Sequence, residues 1–164
     1  MSVKVWDMGY PVFPELCAGC GACSNVCQQH AIKMELDKDG FYKPLLDHSK
    51  CIGCGKCMNL CPVHHPSYKN NDSPQCFAFM APDETRMRSS SGGVFEILAK
   101  KVLKEGGFVC GVAYTEDFLT EHIIIEQESE LYKVRGSKYI MSNINDVYLR
   151  IKEYILDGRT VLFS

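Results

Sequence analysis

The sequence predicts an α+β protein in which a small cysteine-rich domain is followed by an incomplete α/β domain. Three observations lead to this prediction. Eight of the ten cysteines lie between Cys17 and Cys61, a polar segment with three prolines follows them, and the rest of the chain alternates strand-like and helix-like runs. We therefore expect a first domain over residues 1–66, a linker over 67–75 and a second domain over 76–164.

The composition excludes several classes of protein. The chain has 164 residues, with 18 basic and 20 acidic side chains and a formal net charge of −2. This balance argues against a basic groove for nucleic acid. No apolar run approaches the roughly 18 residues of a membrane span, and Asp7 interrupts any export signal. Ten cysteines without such a signal indicate a reducing compartment, so we expect a cytoplasmic protein.

The clustered cysteines form two copies of one pattern. Both copies, over residues 17–27 and 51–61, read C-x2-C-x2-C-x3-C. When one copy is laid on the other, further residues match, which indicates an internal repeat. The matched pairs are Gly19 with Gly53, Gly21 with Gly55, and Asn25 with Asn59.

Three kinds of site could explain so many closely spaced cysteines. Disulfides need an oxidising compartment, which nothing in the sequence indicates. Eight thiolates could make two tetrahedral zinc sites, but zinc sites usually take two cysteines from each of two separate segments. Three thiolates within seven residues can instead bind one face of a metal cluster that is larger than a single ion. The spacing therefore favours two 4Fe-4S clusters, with zinc as the alternative.

The fourth cysteine of each run is expected to reach the neighbouring cluster, as in two-cluster ferredoxins. The glycines between the ligands are expected to take positive φ and to aim N–H groups at the cluster sulfurs. The predicted ligands of cluster one are Cys17, Cys20, Cys23 and Cys61, and those of cluster two are Cys51, Cys54, Cys57 and Cys27.

Residues 10–66 resemble the bacterial-type dicluster ferredoxins. Between the two cysteine runs, apolar and polar residues alternate over 32–36, and an Asp-Gly turn lies at 37–40. Residues 41–46 would then form the second strand, so the pattern predicts a hairpin.

The clusters would change the charge of the first domain. A bound 4Fe-4S core with its four thiolates adds a charge of roughly −2. The holo domain should therefore be acidic and should dock on a basic surface of a redox partner.

The second part of the chain carries alternating strand and helix signals. The last predicted helix ends at Gly158. Cys76 and Cys110 lie in apolar strand patterns, which predict that both are buried structural thiols. The predicted elements are a strand over 76–80, a helix of about 12 residues after Gly93, strands over 108–114 and 122–127, a short helix over 128–134, a helix capped by Asn143, and a strand over 160–163.

Three runs of the second part resemble the beta subunit family of coenzyme F420 hydrogenase and dehydrogenase. They are residues 88–95 (Arg-Ser-Ser-Ser-Gly-Gly-Val-Phe), 135–139 (Arg-Gly-Ser-Lys-Tyr) and 160–164 (Thr-Val-Leu-Phe-Ser). The resemblance implies a ferredoxin-like segment joined to a flavin-binding region, with FAD as the flavin. It also implies a partner subunit and hydride exchange with a deazaflavin or another small acceptor. Members continue past the last strand, so we expect a chain truncated at its C-terminus, whose oxidoreductase activity depends on the missing region.

Candidate flavin residues lie at the start of the helix after residue 93. Serine hydroxyls and glycine N–H groups at a helix N-terminus suit an anionic group such as a flavin pyrophosphate. A serine that only caps the helix would give the same sequence pattern. The resemblance adds Lys138, which could offset negative charge, and Tyr139, which could stack. The other reading of the chain is a plain electron carrier whose second domain docks a separate catalytic subunit. The candidate helix-start residues are Ser89, Ser90, Ser91, Gly92 and Gly93.

Overall fold

The computed structural model describes residues 16–66 and 73–164. These residues form two compact units, of which the first contains residues 16–66 together with 143–148, and the second contains 73–142 together with 149–164. Residues 1–15 and most of the predicted linker lie outside the described residues, so the predicted domain bounds stay a prediction. Helices and strands occur in both units, which confirms the α+β class.

The first unit contains a two-stranded hairpin between two short helices. The strands are antiparallel, with Ile32 opposite Leu46 and Leu36 opposite Tyr42, which confirms the predicted hairpin. In the turn, the Asp37 carboxylate accepts two backbone N–H groups at 2.9 Å. The elements are α1 (Ala22–Val26), β1 (Ile32–Leu36), β2 (Tyr42–Leu46) and α2 (Lys56–Leu60).

The two short helices begin at matched glycines of the repeat. Gly21 precedes α1 with φ 71°, and Gly55 precedes α2 with φ 73°. A side chain at either position would strain the backbone, because this region is accessible without cost only to glycine. The positive φ predicted for these glycines is confirmed. The helices themselves were missed, because five residues are too few to show a helical period.

The second unit is built on a three-stranded sheet with the order β4-β3-β5. The central strand β3 is antiparallel to β4 and parallel to β5. The elements are α3 (Asp83–Arg86), α4 (Val94–Lys104), β3 (Phe108–Tyr114), β4 (Thr120–Ile125), a 3-10 turn (Glu128–Glu130), α5 (Leu131–Val134), α6 (Val147–Leu156) and β5 (Val161–Phe163).

One apolar core holds this unit together. It joins α4, β3, β4 and α5 through buried side chains, which recur on one face of the helix α4. Gly106 ends α4 with φ 76°, which lets the chain turn directly into the buried strand β3. The core residues are Ala99, Leu103, Val109, Ile125, Leu131 and Val134.

Residues 76–80 do not form the predicted strand. They run along the loop before α4, where the N–H of Ala81 donates to the Gly92 carbonyl at 2.7 Å and the Phe79 carbonyl lies close to Gly92. Because this segment pairs with the loop rather than the sheet, Cys76 is exposed, contrary to the prediction, whereas Cys110 is buried as predicted.

The predicted helix cap at Asn143 is also wrong. Helix α6 begins only at Val147. The Asn143 side chain accepts the N–H of Asn145 at 2.9 Å, and Asn145 has φ 47°, so the chain makes a tight turn before the helix starts.

We expect truncation of the buried Ile125 to destabilise the second unit strongly. Its side chain is 1 % exposed within the core, so Ile125→Ala should lower the free energy of unfolding by about 3 kcal/mol. The matched variant Ile124→Ala, next on the same strand and only half-buried, should cost less than half as much. Denaturant unfolding followed by circular dichroism measures both, and equal losses would contradict this description of the core.

Candidate iron–sulfur centres and serine–glycine loop

A small cavity in the first unit is lined by four thiols. Three come from the first cysteine run, on the loop before α1 and on α1 itself, and the fourth follows α2. Gly19 and Gly21 bend the first loop, with φ 66° and 71°. The four cysteines brought together are Cys17, Cys20, Cys23 and Cys61.

A second small cavity repeats this arrangement with the runs exchanged. Its thiols are Cys51, Cys54 and Cys57 from the second run and Cys27 from the first. The structure therefore gathers the thiols in the two crossed sets that the spacing predicts. The role of these eight residues as cluster ligands stays a prediction.

Backbone N–H groups point at sulfur atoms in both ligand loops. The N–H of Gly19 donates to the Cys17 sulfur at 3.4 Å, and the repeat-equivalent Gly53 donates to the Cys51 sulfur at 3.5 Å. Ala31 likewise donates to the Cys27 sulfur at 3.4 Å. Such bonds stabilise thiolates and tune the reduction potential of a cluster that they hold.

The deepest thiols need a neighbouring positive charge to ionise. Burial, together with the neighbouring Cys20 and Cys17, raises the pKa of Cys23 to about 12. Burial also raises the pKa of Cys57. The iron ions of a cluster would supply the compensating charge. Four thiols around an enclosed cavity, with N–H donors to their sulfurs, are thus a donor set that fits a 4Fe-4S cluster.

A larger, open cleft of about 380 Å³ lies in the second unit. All five residues of the serine–glycine loop (Ser89, Ser90, Ser91, Gly92 and Gly93) line it, at the N-terminus of the eleven-residue helix α4. The cleft thus presents a positive helix end with backbone donors. Phe77, Phe79, Arg135 and Ser137 are among the further lining residues, and the sequence did not identify them as site residues.

The structure does not bring Lys138 or Tyr139 to this cleft. Tyr139 is 92 % exposed. The Lys138 ammonium donates to the backbone carbonyls of Arg135 at 2.9 Å and Lys133 at 3.4 Å, and burial lowers its pKa. Their contact with a flavin stays a prediction, whereas Arg135 lies in the same sequence run and does line the cleft.

A buried carboxylate organises the cations beside the serine–glycine loop. Glu96 is 2 % exposed and lies 2.9 Å from Arg88, 3.0 Å from Lys100 and 3.0 Å from Arg135. Burial alone would raise the pKa of Glu96, but the hydrogen bonds from Lys100 and Arg88 and the charge of Arg135 hold it below its usual value. With Glu84, which also pairs with Arg88, three cations face two carboxylates, which leaves one positive charge in excess.

No pattern in the sequence indicates this role of Glu96. A single glutamate in an amphipathic helix usually faces solvent. What identifies Glu96 is the convergence of three basic side chains. Arg88 lies eight residues before it and Lys100 four residues after it, whereas Arg135 lies far along the chain.

We expect Glu96→Gln to destabilise the second unit by about 2 kcal/mol at neutral pH, because it leaves the cations without a buried counter-charge. The control Glu105→Gln removes an exposed carboxylate just after the same helix and should change stability by less than about 0.5 kcal/mol. Since the pKa of Glu96 is lowered, its contribution is present at neutral pH and is lost as the pH falls through that lowered value. The difference between wild type and variant should therefore narrow in acid. An unchanged unfolding midpoint at neutral pH would contradict this role.

Three protein-family descriptions match parts of the chain. Residues 16–65 match a 4Fe-4S dicluster domain, and residues 43–106 match a second description of such a domain. Residues 76–148 match the N-terminal part of the coenzyme F420 hydrogenase/dehydrogenase beta subunit. No curated protein matches the chain. Within the described residues, no helix is both long and apolar enough to cross a membrane. The chain therefore joins a 4Fe-4S dicluster domain to the N-terminal domain of the coenzyme F420 hydrogenase/dehydrogenase beta subunit, which confirms the predicted family.

Proposed function

We propose that this electron-transfer subunit holds two 4Fe-4S clusters in the crossed thiol sets and relays electrons between a redox partner and a flavin. Clusters of this kind supply one-electron exchange, and a flavin couples it to two-electron hydride chemistry. The observation that carries the proposal is the pair of thiol-lined cavities, each with three cysteines of one run and one of the other. The surrounding residues supply burial and N–H donors to the sulfurs.

We place the flavin, FAD, at the cleft of the second unit. The serine–glycine loop offers backbone donors and hydroxyl groups at a helix N-terminus, beside an excess positive charge around Glu96. Arg135 and Ser137 extend this polar wall. Phe77, 84 % exposed, and Phe79 supply apolar rings on the same cleft. A pyrophosphate suits the polar wall and an isoalloxazine ring suits the aromatic one.

The proposed electron transfer requires a redox partner and a hydride acceptor. The family is that of a subunit, so a partner subunit or protein exchanges electrons with the dicluster unit. The hydride acceptor is a deazaflavin or another small molecule, and the reduced thiols require a reducing compartment, which we take to be the cytoplasm.

A second candidate function is a plain electron carrier whose second unit docks a separate catalytic subunit. The observation that favours it is the exposure of Tyr139, together with the engagement of Lys138 by backbone carbonyls, since neither residue lines the cleft. A protein that contains iron and sulfide but does not bind flavin would support this second function.

Anaerobically prepared protein should contain about eight iron and eight acid-labile sulfide per chain and should bind FAD. Ser90→Asp places a negative charge in the cleft at an exposed position and should weaken FAD binding roughly tenfold or more, with the iron content unchanged. The control Ser129→Asp adds the same charge at an exposed position outside the cleft and should leave the affinity unchanged. Fluorescence titration of FAD measures both.

Two results would contradict the proposal separately. Zinc without acid-labile sulfide would overturn the iron–sulfur part. Two clusters with no FAD affinity in the wild-type chain would overturn the flavin part.

A further inference from the structure

The two repeats of the first unit have the same backbone but different surroundings. Gly21 and Gly55 take nearly equal φ values of 71° and 73° at the starts of α1 and α2. A Cβ added to Gly55 would meet open space, whereas a Cβ added to Gly21 would overlap the Ile144 side chain. A segment from far along the chain therefore packs directly on the first ligand loop and has no counterpart at Gly55.

Hydrogen bonding shows the same asymmetry. The Asn25 side chain donates to the Gly21 carbonyl at 3.1 Å within its own loop and to the Asn145 carbonyl at 2.7 Å, 120 residues away. The repeat-equivalent Asn59 is exposed. Ile144, in contrast, is only 5 % exposed, which indicates a close apolar fit.

The latch segment (Asn143–Tyr148) has a turn that presents these two contacts. The Asn143 carboxamide accepts the Asn145 N–H at 2.9 Å, and the N–H of Val147 donates to the Ile144 carbonyl at 3.1 Å. Asn145 takes φ 47°, in the left-handed region, which asparagine tolerates better than most residues other than glycine. The turn persists because the Asn143 bond and the burial of Ile144 and Val147 support it.

We propose that the latch segment holds the first ligand loop in its ligand-binding conformation, so that retention of cluster one depends on residues 143–148 and retention of cluster two does not. Gly21 lies between Cys20 and Cys23, so any displacement of Gly21 moves two thiols of the first set. Because metal binding and folding of small metal domains are coupled, a preformed loop binds its cluster more tightly. This inference rests on the proposed binding of two clusters and is independent of the flavin.

A matched pair of glycine variants tests the latch in the full chain. Gly21→Ala and Gly55→Ala impose the same backbone strain, but only Gly21→Ala collides with Ile144. Release of iron to a chelator should be roughly tenfold faster for Gly21→Ala than for Gly55→Ala. The iron lost should be that of cluster one, with Cys17 and Cys61 becoming open to alkylation.

A second pair tests the hydrogen bond without backbone strain. Asn25→Ala removes the bond to the Asn145 carbonyl and should speed iron release, whereas Asn59→Ala should leave it close to wild type. Equal release rates within each pair would overturn the latch while leaving the two-cluster assignment standing. Wild-type protein without iron and acid-labile sulfide would overturn both, so the two failures are distinguishable.

Discussion

The first unit depends on the crossing of its two cysteine runs. The first three thiols of a run lie close enough in sequence to face one cavity, but the three-residue spacer carries the fourth to the other cavity. Neither cavity can therefore be completed by one run alone. The hairpin of β1 and β2 connects the runs, and the glycine-initiated helices α1 and α2 aim the thiols inward. Because so small a unit has little apolar core of its own, cluster binding and folding are expected to be coupled.

The second unit depends on a different constraint, a buried carboxylate among cations. Glu96 would be costly to bury alone, and its three basic neighbours fix the start of α4 relative to the end of α5. This arrangement leaves positive charge beside the serine–glycine loop. The same contacts thus stabilise the fold and prepare the cleft for an anionic group, which connects the stability of the unit to its proposed binding of a flavin.

The sequence predicted those features that depend on local spacing. The cysteine repeat, the positive φ of Gly21 and Gly55 and the hairpin all follow from short-range pattern, and the structure has the same hairpin and glycine conformations. Features that depend on tertiary contact were missed or wrong. Residues 76–80 have strand composition but pair with the loop at Gly92. The contact of Ile144 with the first ligand loop spans more than a hundred residues, and no local pattern encodes it.

Mapping of thiols in a protein that lacks one ligand tests the crossing most directly. Cys20→Ser should release cluster one, and alkylation under anaerobic conditions followed by mass spectrometry should then label Cys61 and leave Cys27 protected. The exposed Cys76 should be labelled in wild type and variant alike, which controls for reagent activity. Labelling of Cys27 with protection of Cys61 would contradict the crossed assignment and, with it, the account given of the first unit.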